Sequence, residues 1–178
     1  MKMNYLSKNV VGIIQKLGND PFLSNMIMND STTPFDPSIY EDNCKCFKRI
    51  APYPFNPDAE ENDASFIRVY YNQAEFDKSE VISDARLHID IIVAKNLWLI
   101  NDGQKTNHYP DGNGDSLIRP YRILERVVEV LTSSHLPSSE RVSFEGWQHL
   151  AVNTKFDAIR LYAEHFSVNS KSQHQSEQ

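Results

Sequence analysis

The chain has 178 residues, an apolar share of 40%, a charged share of 24% and a formal charge of −6. That length supports one domain with a full core and is short for two domains of usual size. The acidic balance excludes a broad face that grips phosphates, which takes clustered Lys and Arg, but it permits a place beside DNA without holding it.

The first residues carry positive charge and then apolar side chains, but Gln15 and Lys16 interrupt the run and no small-residue cleavage site follows. Val10, Ile13, Ile14 and Leu17 fall at i, i+3, i+4 and i+7, which predicts a short helix ended by Gly18. Asn19 or Asp20 can cap a second helix with Pro21 at its first position and Leu23, Met26 and Ile27 on one side. A membrane-anchoring role for this region is disfavoured, because the polar side lacks Lys and Arg enrichment. No run of 18 apolar residues occurs anywhere, so no membrane contact is expected and synthesis in the cytoplasm is.

Asp30 to Asn43 carries Pro34, Pro37 and many turn-forming residues, which predicts a long loop. Cys44 to Ile50 reads as extended, before P-Y-P-F-N-P ends it by removing backbone donors. Cys44 and Cys46, the only cysteines, are spaced too tightly for the usual metal or redox motif, so they read as two plain thiols. Asp58, Glu60, Glu61 and Asp63 make an acidic segment that reads as a solvated turn rather than a cation site.

Ser65 to Asn72 alternates β-branched and aromatic residues and predicts a strand. A second strand follows, with Ala85, Leu87, Ile89, Ile91 and Val93 on one face and Asp84, Arg86, His88 and Asp90 on the other. The short connection makes the pair antiparallel. His88 and Asp90 share a face and resemble an acid/base pair, but that face reads as the polar, solvated or interfacial one, and no nucleophile is marked nearby.

The stretch from Asn101 to Ser116 reads as a long loop. Its D-G-N-G-D opens like a calcium loop, with Asp111, Asn113 and Asp115 in place, yet Ser116 and Arg122 stand where that motif needs Gly and a bidentate Glu. Arg119-Pro120-Tyr121 then begins the main helix, with Ile123, Val127, Val130 and Leu131 as its apolar face. Val142 to Trp147 and Ala158 to Phe166 predict a closing hairpin with His149 to Asp157 as a long connection. Residues 1–168 form one domain in this reading, and the polar residues 169–178 form a disordered tail. The expected class is α+β: a mostly antiparallel sheet of four to five strands packed by one main helix, with short N-terminal helices. No P-loop, nucleophile elbow or dinucleotide fingerprint is present, and the six histidines lack metal-ligand spacing. No catalytic, cofactor-binding or metal-binding residues are therefore predicted.

Several segments together resemble the tail-terminator and tail-completion (neck) proteins of long-tailed bacteriophages. They are I-I-Q-K-L-G-N-D-P-F-L (Ile13 to Leu23), K-R-I-A-P-Y-P-F (Lys48 to Phe55), F-I-R-V-Y-Y (Phe66 to Tyr71), L-H-I-D-I-I-V-A-K-N-L-W-L-I (Leu87 to Ile100), R-P-Y-R-I-L (Arg119 to Leu124), V-S-F-E-G-W (Val142 to Trp147) and L-A-V-N-T-K-F-D-A-I-R-L-Y (Leu150 to Tyr162). The resemblance implies a structural virion protein without enzymatic activity, assembled in the host cytoplasm into a homo-oligomeric ring, typically a hexamer. Such a ring ends the tail tube and joins it to the head and neck, contacting the tail tube protein and the neck or connector proteins, while DNA passes through its channel without specific binding. A head-closure or connector ring of the neck is the neighbouring alternative. From other classes, the alternatives are a small enzyme built on His88 and Asp90, with Asp111 and Asp115 as metal ligands, and a monomeric binding domain. In the ring reading, contacts come from Arg86, His88 and Asp90 on the polar strand face and from Lys105, His108, Tyr109, Asp111 and Asp115 in the central loop.

Overall fold

A computed structural model describes residues 4–35, 48–76, 82–100, 118–133 and 142–164. The helices within these stretches are α1 (Asn4–Gly18), α2 (Pro21–Met28) and α3 (Arg119–Thr132). The strands are β1 (Ile50–Ala51), β2 (Ser65–Phe76), β3 (Ile82–Ala94), β4 (Ser143–Ala151) and β5 (Phe156–Glu164). The class is α+β, as the patterning predicts: one mixed sheet in the order β1-β2-β3-β5-β4, with α3 as its main helix. The tail at 169–178 and the strand predicted through Cys44 and Cys46 fall largely outside the described residues.

The helices cover one face of the sheet. Ile13 and Leu17 of α1, Leu23, Met26 and Ile27 of α2, and Ile123, Val127 and Leu131 of α3 are fully buried against Ile67, Val69, Ile89, Ile91 and Ile159. Asp20 is the cap of α2, accepting a hydrogen bond from the Leu23 amide at 3.0 Å. It also holds α3, because Arg126 donates to both of its carboxylate oxygens at 2.7 to 3.3 Å. A second tie crosses the same seam. The fully buried Arg119 guanidinium donates to the carbonyls of Met26 at 3.1 Å and Asn29 at 2.8 Å, and to that of Ser31. These are carbonyls at and just past the end of α2, which its helical ladder leaves without donors.

Two predicted boundaries differ. The extended segment expected up to Ile50 is helical at Lys48 and Arg49, and among its described residues Ile50 joins the sheet together with Ala51, parallel to β2 at Ile67 and Arg68. The closing hairpin is tighter than expected. His149 to Ala151 continue β4, and Phe156 and Asp157 begin β5. Asn153 explains the short turn: its side-chain oxygen accepts from the amides of Lys155 at 2.8 Å and Phe156 at 2.7 Å, reversing the chain locally.

Candidate functional site on the open sheet face

The second face of the sheet carries no helix among the described residues. Strand register arranges it in cross-strand rows: Phe66, Ile92, Ala158 and Leu150; then Arg68, Asp90, Arg160 and Gln148; then Tyr70, His88, Tyr162 and Gly146. The first row is roofed by Phe55 from the proline-rich segment after β1, whose ring lies 5.2 Å from those of Phe66 and Phe156. Arg68 is buried under this roof, with its guanidinium 5.0 Å from the Phe66 ring centre and 5.4 Å from that of Tyr53, and it donates to the Arg49 carbonyl at 2.7 Å. Burial lowers its pKa, and the stacked rings and the carbonyl keep the cation in place.

Beyond the roof lies a polar cluster with interlocked partners. Arg160 donates from Nε to Oδ1 of Asp90 at 2.7 Å and from a terminal nitrogen to Oδ2 at 2.9 Å, which is the bidentate geometry of a guanidinium on a carboxylate. Tyr70 donates to the same Oδ2 at 2.8 Å and accepts from Arg160 at 2.9 Å. Burial and the hydrogen bond to Asp90 push the Tyr70 hydroxyl up to about 12, while the bond to Asp90 raises Arg160. Next to this triad, the His88 ring is held edge-on between Tyr70 and Tyr162, at 5.6 and 5.2 Å. Its Nδ1 has no hydrogen-bond partner among the described residues. Burial, and then the charge of Arg160, lowers its pKa, so the ring is neutral at physiological pH.

His88 and Asp90 therefore share a face, as the alternation predicts, but both are only 5% exposed. The expectation of a solvated pair is corrected by their neighbours: Tyr70, Arg160 and Tyr162 lie across them from both flanking strands. Arg86, on the same face, is exposed. Lys105, His108, Tyr109, Asp111 and Asp115 lie outside the described residues. Chemically, both oxygens of Asp90 are occupied by a cation and a hydroxyl that stays protonated. The arrangement braces three strands and offers no free base at Asp90. Among the described residues no group of three or more His, Cys, Asp or Glu is placed to hold a metal ion.

An aromatic cluster missing from the predicted site lies on the helix-covered side of the hairpin. Trp98 lies 6.5 Å from Tyr121 and 5.6 Å from His149, and Tyr121 lies 5.9 Å from Trp147. Trp147 remains 52% exposed and Leu99 67%. The signal available in the sequence was the alternation of Trp147 and His149 along β4, which puts two large rings on one face. Without the true hairpin register it could not be read.

A family model described as YomW matches residues 19–165. That is a prophage-style name which points to a phage-associated protein and carries no activity of its own. No curated protein matches the chain.

Proposed function

We propose that this chain, which belongs to the YomW family, is a structural protein of the phage virion: a ring that ends the tail tube and joins it to the head through the neck. The observation that carries the reading is the phage-associated family match, which runs through nearly all of the segments that resemble tail-terminator proteins. Those segments lie mainly on α1, α2, β2, β3, α3 and the β4–β5 hairpin, so they belong to one connected sheet-and-helix body. The role is scaffolding rather than catalysis in this reading, which is supported by Asp90: its carboxylate, the acid of the His88–Asp90 pair, is taken up by Arg160 and Tyr70 in bracing three strands. Partners in this reading are further copies of the chain, the tail tube protein and the adjoining neck protein, and DNA passes through without specific contacts because an acidic wall repels phosphate.

The test combines native mass spectrometry and negative-stain imaging of the purified chain, alone and with assembled tail tubes, with immunolabelling of virions. Rings, six-fold in symmetry, seated on tube ends and a label at the head-tail junction are expected. A chain that stays monomeric with tubes present and is absent from virions overturns the reading.

A further inference from the structure

Among the described residues the sheet ends in two strand edges with no strand on their outer sides. β4 pairs with β5 on one side only, and on its other side the backbone of Ser143–Ala151 meets no strand among the described residues. Edge strands of this length are normally blunted by Lys, Pro or short length, because unpaired amides and carbonyls invite another strand. S-F-E-G-W-Q-H-L-A contains neither Lys nor Pro. A bulge at Phe144/Gly146 interrupts its start, but from Gly146 to Ala151 the strand runs in unbroken register. At the opposite end, β1 covers β2 only at Ile67 and Arg68, so the outer side of β2 from Val69 to Phe76 has no strand partner among the described residues.

Direction decides what fits these edges. The pairs β2–β3, β3–β5 and β5–β4 are all antiparallel, so β4 runs opposite to β2. A second copy related by rotation about an axis along the strands would keep its strand directions. Its β2 would then meet β4 of the first copy as an antiparallel pair, which is the better-bonded arrangement. The two edges lie on opposite sides of one sheet, so the contact joins unlike surfaces, can be repeated by every copy and closes when the rotation closes. A contact between two β4 strands would need a two-fold axis instead, would stop at two copies and would leave β2 open. Trp147, half-exposed and steadied by Tyr121, is the large aromatic anchor that such an edge contact needs beside its main-chain bonds.

We infer that the outer edge of β4 pairs antiparallel with the outer edge of β2, between Val69 and Phe76, of the next copy of this chain, so that the sheet continues from subunit to subunit. This rests on the ring reading and names its contact.

The test uses the full chain with a photo-reactive phenylalanine analogue in place of Gln148, in an equal mixture of isotopically labelled and unlabelled protein. Native mass spectrometry and peptide mapping are read on the same sample. Cross-links between unlike copies from position 148 to residues 69–76 are expected. A second variant, Trp147→Lys, should raise the concentration needed for half-assembly by about tenfold or more while its thermal midpoint as a monomer stays near that of the parent. Closed multimers whose links run from β4 to β4, or to no part of β2, overturn the inference and leave the ring standing. Multimers unaffected by Trp147→Lys and lacking the cross-link do the same. A chain that is monomeric under all assembly conditions overturns both.

Discussion

Arg160 and Asp90 sit directly opposite each other in the register of β5 and β3, and the guanidinium forks both carboxylate oxygens while Tyr70 from β2 closes the third side. One carboxylate thus ties three neighbouring strands at mid-sheet. Asp90 is almost wholly withdrawn from solvent, so removing its cation leaves a buried charge with a single hydroxyl as partner. Arg160→Ala should cost about 2–4 kcal/mol in urea unfolding, below the figure for a fully buried pair because the arginine side chain keeps some exposure. Tyr70→Phe removes one hydrogen bond and should cost about 1 kcal/mol.

His88 gives a pH dependence with a definite sign. Its folded pKa is depressed below the ordinary value of 6.5 by burial and by Arg160. Between that value and the lower folded one, the unfolded chain binds the proton and the folded chain does not, so stability falls as pH drops below about 6.5 and levels off beneath the folded pKa. Carboxylates add their own slopes at lower pH, so the clean readout is a difference. His88→Phe, which keeps a ring between Tyr70 and Tyr162, should unfold with a flatter profile between pH 7.5 and 5 than the parent in the same urea titrations.

Arg119 should be among the least replaceable residues outside the apolar core. Its guanidinium serves three carbonyls at the end of α2 from the first turn of α3. Arg119→Met keeps much of the volume but strands those acceptors, at about 1–3 kcal/mol for each one left dry. A total loss of about 3–5 kcal/mol would lower the thermal midpoint by roughly 6–20 °C for a chain this size. Scanning calorimetry checks it, and a drop of only a degree or two would show that water replaces the cation.

Asp20 has two jobs that substitution can separate. Asp20→Asn keeps an oxygen to cap Leu23 but weakens the pairing with Arg126, whereas Asp20→Ala loses both. The expected order is Asn milder than Ala, with about 1 kcal/mol of the Ala cost from the cap alone. Equal losses would mean that the ion pair, not the cap, holds α2 in place.

Much of the fold is legible in local patterns. Apolar periodicity locates α1, α2 and α3, the Asp20-Pro21 pair marks the start of α2, and alternation locates β2 and β3 with the correct helix-facing residues. What escapes is set by partners distant in sequence. The parallel bridge of Ile50 and Ala51 depends on β2, and two residues cannot announce a strand. The hairpin turn depends on one Asn side chain. The burial of His88 and Asp90 depends on long side chains from β2 and β5, and alternation along one strand records which face a residue takes, not what its neighbours lay across that face. The Trp98, Tyr121 and Trp147 cluster draws on three separated segments for the same reason.

Leu99 and Ile118 form an isolated antiparallel bridge, and one residue on, the Arg119 amide donates to the Trp98 carbonyl at 2.8 Å. The ends of the intervening segment are therefore clamped together by the body of the protein, independently of what is strung between them. Lengthening that segment adds only loop-closure entropy, about 0.6 kcal/mol for each doubling. The clamp lets the core tolerate an insertion, so a chain with a peptide label spliced into that segment should unfold at nearly the same temperature as the parent, whatever the segment itself touches.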